Sequence, residues 1–492
     1  MTSPHLSGRA LYEKIRRDFI GLDTSYSLAT GEKKRRVYLD STATTLMMRP
    51  AHEVVNRFFR HYANTHSLLH FGAKISTREY EWAHRRILSF VNADPETYTC
   101  FFTGSGTTAG VNRMARVFRD IRPGRKTALV TIMEHHSNDL PHRKHMEKVI
   151  HVPVTVTNGR MGCVSLQALE SMLKENRDTV NYVAMTGVSN VTGIINPINE
   201  AAEIAHAYGA LLLVDGAQLL AHIPVRMTVP DNPQRNIDAL AFSGHKTYMP
   251  GSPGGVVARK DLLSQVEPEE VGGGMVEHVF KDSYEVKSTF PDREEAGTPN
   301  IPGTIGLATA IDILDRIGMD FLRKEEEALI GEALDRLQKI PDVTVYGEAD
   351  PRLCERTASI SFNVMGMDHG LVAAILNDYF NIAVRNECFC AHPYVKEMIG
   401  NDLIQTTHSD DPEELERIYH LKQGMVRASF ALYSTREDVQ ALETALKEIC
   451  RQKDRFRVHY HVDAAGNYVH NSFQFDHSRA FSVQNCLVEL IS

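Results

Sequence analysis

From about Val37 to Ile311, short apolar runs alternate with stretches whose apolar positions recur every three or four residues. The runs Tyr98–Phe102, Thr127–Ile132, Val149–Val156, Val180–Thr186, Leu211–Asp215, Ala239–Ser243 and Gly255–Ala258 are rich in aliphatic and β-branched side chains and predict strands. Between them, Thr107–Arg119, Ser165–Glu175 and Ile198–Tyr208 carry the spacing of helices with one apolar face. Strand–helix alternation with short loops predicts an α/β fold whose mostly parallel sheet is covered on both faces. Ligands in such sheets collect at the carboxyl ends of strands. Four of those ends are polar or rich in glycine: Thr103-Gly-Ser-Gly-Thr-Thr108, Glu134-His-His136, Asp215-Gly-Ala-Gln218 and Ser243-Gly-His-Lys246.

The pattern changes on either side of this region. Residues 1–36 read as a helical arm ending in the basic turn Gly31–Arg36, and a short strand, Val37–Asp40, opens the main body, 37–312. A long helix, roughly Thr304 to Leu337, leads into a smaller α+β unit, 313–453. There Ser359–Asn363 alternates like a half-buried strand, while Gly370–Asp378 and Arg436–Arg451 look helical. A polar insertion spans about 395–423, and the tail 454–492 contains a hairpin pattern around Arg457–Asp463 and Ala465-Gly466.

Composition narrows the function classes. Over 492 residues, 42% hydrophobic content is enough for a large core. The 54 basic and 62 acidic residues give a net charge of −8, which argues against a nucleic-acid partner, since that needs a basic stripe. No apolar stretch is long enough for a bilayer span, and Met1–Ile20 lacks the apolar run of a secretory leader. Seven dispersed cysteines, Cys100, Cys163, Cys354, Cys388, Cys390, Cys450 and Cys486, do not suggest a disulfide framework, so a cytoplasmic location is expected.

Lys246 ends a buried-looking strand, where desolvation lowers an amine's pKa and makes it a nucleophile able to form a Schiff base. A lysine after a strand is ordinarily a surface residue; its neighbours change that reading. Asp215 follows the apolar run Leu211–Val214 and can hold a pyridine nitrogen protonated, although in isolation a turn or helix-cap residue is the favoured reading. The loop 103–108 offers backbone N–H groups and a helix N-terminus to a phosphate. His135 can stack on a flat ring and move protons. A metal site built from His135, His136, His142 and His145 is the weaker reading, and none is expected, because no carboxylate or cysteine completes a ligand spacing.

Taken together, these residues resemble the fold-type I, class V aminotransferase-like pyridoxal-phosphate enzymes, and within them the SUF-type cysteine desulfurases and selenocysteine lyases. The resemblance runs from about Tyr38 to Leu446. It rests on Tyr38-Leu-Asp40, Gly106-Thr-Thr108, Glu134-His-His136, Val188-Ser-Asn190, Asp215-Gly-Ala-Gln218, Ser243-Gly-His-Lys246, Ala296-Gly-Thr-Pro-Asn300 and Arg427-Ala-Ser429. It implies pyridoxal 5′-phosphate on Lys246, Asp215 at its pyridine nitrogen and His135 on its ring. Gly106, Thr107, Thr108, Ser243 and His245 would hold the phosphate, with Asn190 and Gln218 near the phenolic oxygen. Arg427 resembles the clamp for a substrate carboxylate, with Arg385 and Asn190 beside it. Read alone, it would be a surface salt bridge. Ala296–Asn300 resembles a segment that reaches a partner subunit's phosphate, which implies a homodimer with Thr298 acting in trans.

The segment Val384–Pro393 separates the reactions within this family. Arg385 and Cys390-Ala391 keep the desulfurase spacing from arginine to nucleophilic cysteine, whereas Asn386-Glu-Cys-Phe389 replaces the usual Thr-Gly-His-His. Cys388-Phe-Cys390 is similar to molybdenum-cofactor sulfurases. Other departures are Ser41-Thr42 after Leu39-Asp40 and the long insertion. The resemblance implies conversion of L-cysteine to L-alanine with a persulfide on Cys390, passed to a sulfur-acceptor protein. The alternative is another class V reaction (aminotransferase, lyase or epimerase) with Cys390 non-catalytic. Residues two apart in an extended stretch point to one side, so Cys388 is expected to face the same pocket as Cys390 or to pack.

Overall fold

The computed structural model describes residues 6–65, 67–406 and 424–492. Seven strands form its main sheet: β1 (Tyr98–Thr103), β2 (Thr127–Thr131), β3 (Lys148–Val152), β4 (Val180–Thr186), β5 (Leu211–Asp215), β6 (Ala239–Ser243) and β7 (Gly254–Arg259). Their spatial order is β1-β7-β6-β5-β4-β2-β3, and β7 alone runs antiparallel to its neighbours. Burial on both faces accounts for their continuous apolar runs. Along β5, Leu212 and Val214 enter one core with Leu169, Leu173 and Ala205 from the helices Leu166–Glu175 and Ile198–Ala207. Leu211 and Leu213 enter the opposite core, with Met114 and Phe118 from the helix Gly106–Ile121. Each strand therefore feeds both layers by simple alternation.

The run expected as one strand over 149–156 is broken between Val152 and Val154, and Val154–Thr157 instead pairs with Arg160–Val164 as a separate hairpin. Pro153 stands at the break and cannot donate to a ladder. The 20-residue helix Phe71–Phe90 was not anticipated from the apolar pattern; half its buried face is small or polar, including Ala73, Ser76, Ala83 and His84.

A second core gathers around four antiparallel strands: β8 (Val343–Val345), β9 (Ser359–Val364), β10 (Arg385–Glu387) and β11 (Met425–Ser429), in the order β8-β9-β11-β10. The helices His369–Phe380 and Arg436–Arg451 pack on it. The single long helix expected over 304–337 is two, Ile301–Ile317 and Met319–Gln338, divided at Gly318, whose φ of +97° no helix contains. The helical arm expected over residues 1–36 is also corrected. Among the described residues of that span only Gly8–Ile15 is an α-helix, and the basic run belongs to a hairpin of Ser25–Ser27 with Lys33–Arg35. Val37–Tyr38 does not open the main sheet. It pairs in parallel with Ile382–Ala383, and Val37 and Leu39 lie in the second core. In the tail, Tyr460–Val462 and Tyr468–His470 form the expected hairpin. The insertion falls partly on the helix His392–Thr406, and its residues 407–423 lie outside the described residues.

Where the two cores meet, the loop after β4 is stitched to the strand entering β9. Ile195 N–H donates to Glu355 O (3.0 Å), and Thr357 N–H donates to Gly193 O (2.8 Å). Gly193 has φ +73°, and a Cβ there would stand 1.9 Å from Thr357 O. Gly193→Ala is expected to lower unfolding stability by ~2 kcal/mol or more, from the left-handed backbone plus the displaced carbonyl. Urea denaturation checks this, and an unchanged midpoint would contradict the close approach.

Candidate active site

The carboxyl ends of β2, β4, β5 and β6, with the β1 loop, surround one cavity of about 230 Å³. Its lining includes Thr107, Thr108, His135, Asn190, Asp215, Gln218, Ser243, His245 and Lys246, which the sequence had scattered over 140 positions. Thr186 and Asp215 are level in the β4–β5 register, so the loops that follow start from one plane. A larger cavity, about 530 Å³, lies beside Tyr80, His84, Glu295 and the residues flanking Thr298. It contains none of the nucleophiles or cations singled out from sequence.

Gly106 starts a 16-residue helix at φ +59°, and a Cβ there would approach Ser243 Oγ to 2.6 Å. Only glycine lets the helix come so close to β6. Ser243 Oγ then accepts the Thr107 N–H (2.9 Å) and lies 2.8 Å from Thr107 Oγ1. Thr108 Oγ1 meets Ser137 Oγ at 2.7 Å. The result is a helix N-terminus fringed with hydroxyls, suited to an anion.

His135 Nδ1 accepts the Ser137 N–H at 3.1 Å, which leaves the ring proton of the neutral imidazole on Nε2. Burial, helped by the charge of Lys246, pulls His135 down to about 3. Beneath it Glu134 is buried and receives Thr131 Oγ1–H, Asn138 Nδ2–H (2.6 Å) and Thr186 N–H (2.8 Å), tying the ends of β2 and β4 together. Burial raises Glu134 to about 8. His142, one of the residues in the metal reading, is buried between Tyr182 Oη (2.9 Å) and Asn138 Oδ1 (3.0 Å).

Asp215 accepts the Ala217 N–H at 2.8 Å, and burial raises its carboxyl. Lys246 is half-buried in the cavity wall; burial lowers its amine to about 8, with Asp215 pulling the other way. Gln218 and Asn190 line the cavity, yet each amide already donates once, to Thr42 O and Phe389 O respectively, both at 2.8 Å. His245 Nδ1 lies 3.2 Å from Thr44 Oγ1.

The second core brings further groups near the cavity without lining it. Arg427, on β11, donates Nη1–H to Asn190 O (2.9 Å) and Nη2–H to Asp40 Oδ1 (3.3 Å), and its guanidinium lies 4.7 Å from the Phe389 ring centre. Burial lowers it to about 10. Its buried Nε has no partner among the described residues. Arg385 pairs with Arg427 across the β10–β11 ladder but is exposed.

Cys390 is exposed, its carbonyl accepting the His136 N–H at 2.7 Å. Cys388 is instead buried among Phe389, Tyr394 and Met425. The expectation that both cysteines face one side is corrected, because Glu387, Phe389 and Cys390 all have positive φ and the segment is not extended. Thr298 is exposed, accepts from Asn64 Nδ2 (3.3 Å), and does not line the cavity of its own chain. Sequence reasoning missed Glu134, Ser137 and the Thr42–Thr45 turn as parts of the site. Ser137 follows His135 by two residues, and Thr44 and Thr45 both donate to His245 O. That polar run was the only signal available.

Comparison with known proteins places this geometry in context. Residues 37–442 match the family model described as aminotransferase class-V. A probable cysteine desulfurase of Halalkalibacterium halodurans is 35% identical over 414 residues, covering 84% of this chain and 92% of the relative. A cysteine desulfurase of Shigella flexneri is 32% identical, covering 84% and 93%. Among solved structures, the apo cysteine desulfurase of Thermococcus onnurineus superposes with a TM-score of 0.74 at 28% identity, covering 92% of this chain and 100% of the other.

The enclosed amine has a measurable consequence. Below pH 8 both folded and unfolded chains carry the Lys246 ammonium, and the folded chain bears its full burial cost, about 3 kcal/mol for a pKa lowered from 10.5 to about 8. Between pH 8 and 10.5 the unfolded chain binds more protons, so stability rises with pH and the cost disappears. Lys246→Met should therefore stabilise the protein, measured with nothing bound in the cavity, by about 3 kcal/mol at pH 7, with the gain shrinking from pH 8 upwards. Urea unfolding of both proteins across this range checks it; a gain independent of pH would contradict a buried ammonium.

Proposed function

The chain belongs to the class-V aminotransferase family, and on that premise we propose that it is a pyridoxal-phosphate-dependent cysteine desulfurase that forms L-alanine and a persulfide on Cys390. The observation that carries this reading is the convergence of Lys246, Asp215, His135 and Ser243 on one cavity that Arg427 and the Cys390 segment approach from the second core.

The residues present fit the cofactor. Gly106 leaves a cradle that a Cβ would fill, the hydroxyls of Thr107, Thr108 and Ser243 fringe a helix N-terminus, and Asp215 is a buried anion for a ring nitrogen. When bound, pyridoxal phosphate supplies the electron sink that makes an amino acid's Cα–H acidic. Lys246 is the covalent anchor and the base at Cα, a role its lowered pKa suits by leaving a sizeable neutral fraction near pH 8. His135 keeps an uncharged ring and an Nε2–H in the cavity. Arg427 receives the substrate carboxylate. Its unpartnered Nε is available for that bond, and Asp40 with Asn190 O fixes the orientation of the fork. Cys390, as thiolate, takes the substrate sulfur and becomes Cys–S–SH as alanine leaves. Exposure of Cys390 suits hand-over to an acceptor protein. Among the described residues no helix is long and apolar enough to cross a membrane. A thiolate-dependent reaction fits a reducing cytoplasm.

Borohydride treatment of the yellow protein should fix the cofactor to the Lys246 peptide. Incubation with cysteine should give equal amounts of alanine and, without reductant, one protein persulfide. Cys390→Ser should retain cofactor absorbance and lose alanine formation by at least ~100-fold, whereas Cys388→Ser, altering a packed residue, should keep a substantial fraction. Loss confined to Cys388→Ser would reassign the nucleophile, and loss with neither would favour another class V reaction.

Active sites shared across a homodimer are also part of the proposal, since Thr298 lies outside the cavity of its own chain. Heterodimers of a Lys246→Ala chain with a Thr298→Val chain should recover activity that neither homodimer has. No recovery in a verified heterodimer would place Thr298 elsewhere.

A further inference from the structure

Two cysteines far from Lys246 in sequence and function face each other. Cys163 lies on the strand Arg160–Val164, and Cys354 lies in the turn that leads to β9. The Cys163 N–H donates to the Cys354 sulfur at 3.1 Å, which brings the two residues side by side. Gly162 makes room for this: a Cβ there would stand 2.8 Å from the Cys354 sulfur and 2.4 Å from Thr155 Oγ1.

The two sulfurs are not equivalent. Cys163 is half-buried, while Cys354 is only 6% exposed. The neighbouring Cys354 and Thr155 side chains pull the Cys163 thiol down despite its partial burial. The Cys163 side chain and burial push Cys354 up, against the pull of the Cys163 N–H. An accessible sulfur with thiolate character thus stands over a protected thiol, which is what thiol–disulfide exchange requires of an attacking and a resolving cysteine.

We propose that Cys163 and Cys354 form a dithiol site that reacts with low-molecular-weight disulfides, Cys163 attacking and Cys354 resolving. Cys163 thiolate bonds to one sulfur of the small disulfide and releases the other half as a thiolate, which takes up the proton that Cys163 gave up. Cys354 then loses its proton, bonds to the Cys163 sulfur and expels the second small thiol, which takes that proton. The protein dithiol is oxidised by two electrons to a disulfide, and the small disulfide is reduced to two thiols. The site is separate from the Cys390 chemistry but not remote from it. Val154 and Met161 of the same hairpin pack in one cluster with Cys388, Phe389 and Ala391, so the bond would fix the floor beneath the Cys390 segment.

The test uses the full-length enzyme with its cofactor, in a Cys390→Ser background that removes the competing nucleophile. After exposure to oxidised glutathione, a non-reduced digest analysed by mass spectrometry should contain a Cys163–Cys354 linked peptide in most chains, lighter by two hydrogens and opened by dithiothreitol. Adding Cys354→Ser should leave a stable glutathione adduct on Cys163. Adding Cys163→Ser should abolish both the link and any adduct at Cys354. Cofactor absorbance reports that each variant is folded. The proposal is overturned if both cysteines stay reduced while glutathione is found elsewhere, or if the adduct forms on Cys354 in the absence of Cys163. The parent digest decides the matter alone if a variant does not fold.

Discussion

The ammonium of Lys246 is largely withdrawn from water at the cavity wall, with Asp215 as its neighbouring anion and the buried Arg427 as a second cation nearby. Burying an amine in this way is unfavourable and must be sustained by everything around it. The sheet sustains it by rigidity. Strands β4, β5 and β6 are buried along their whole lengths and hold three loop origins in register. A softer scaffold would let the lysine swing towards water and regain its ordinary basicity. The same enclosure sets the character of the other groups, neutralising His135 and raising Asp215.

A second dependence follows from where Arg427 comes from. The main sheet furnishes the amine, the anion and the anion-binding helix start, but the guanidinium and the cysteine arrive on β11 and the segment after β10. Their placement relies on the contacts between cores: Arg427 with Asn190 O and Asp40, Asn190 Nδ2 with Phe389 O, and the stitched strands around Gly193 and Thr357. All but the Arg427–Asp40 contact are accepted by backbone carbonyls. Such bonds are directional and costly to leave unmade, so they specify position as well as stability.

Much of this was legible in the chain. The five central strands announced themselves by continuous apolar runs, and β4, β5 and β6 begin and end where the pattern placed them. Strand ends rich in glycine and polar residues correctly marked the cavity. What escaped reading did so for physical reasons. Val37–Tyr38 looks like any short strand, and nothing local reveals that its partner lies near Ile382. Gly318 interrupts a helical pattern without disturbing its apolar period. The turn that separates Cys388 from Cys390 uses left-handed Glu387, Phe389 and Cys390, residue types that seldom adopt that conformation, so no glycine betrays it. Glu134 reads as a polar loop residue, and its burial under three donors is visible only once β2 and β4 are side by side.

The pairing of Val37–Tyr38 with Ile382–Ala383 also bears on how the molecule is made. During synthesis these residues emerge early and must wait for more than three hundred others before their partner strand exists. The main sheet can condense meanwhile, leaving Val37 and Leu39 as an uncommitted apolar ribbon beside it. The second core cannot be complete until both parts exist, since it includes a piece contributed from the other end of the chain, like a strap threaded back through its buckle. The Asp40–Arg427 contact draws on both ends of the chain, so no chain that stops short of Arg427 can make it.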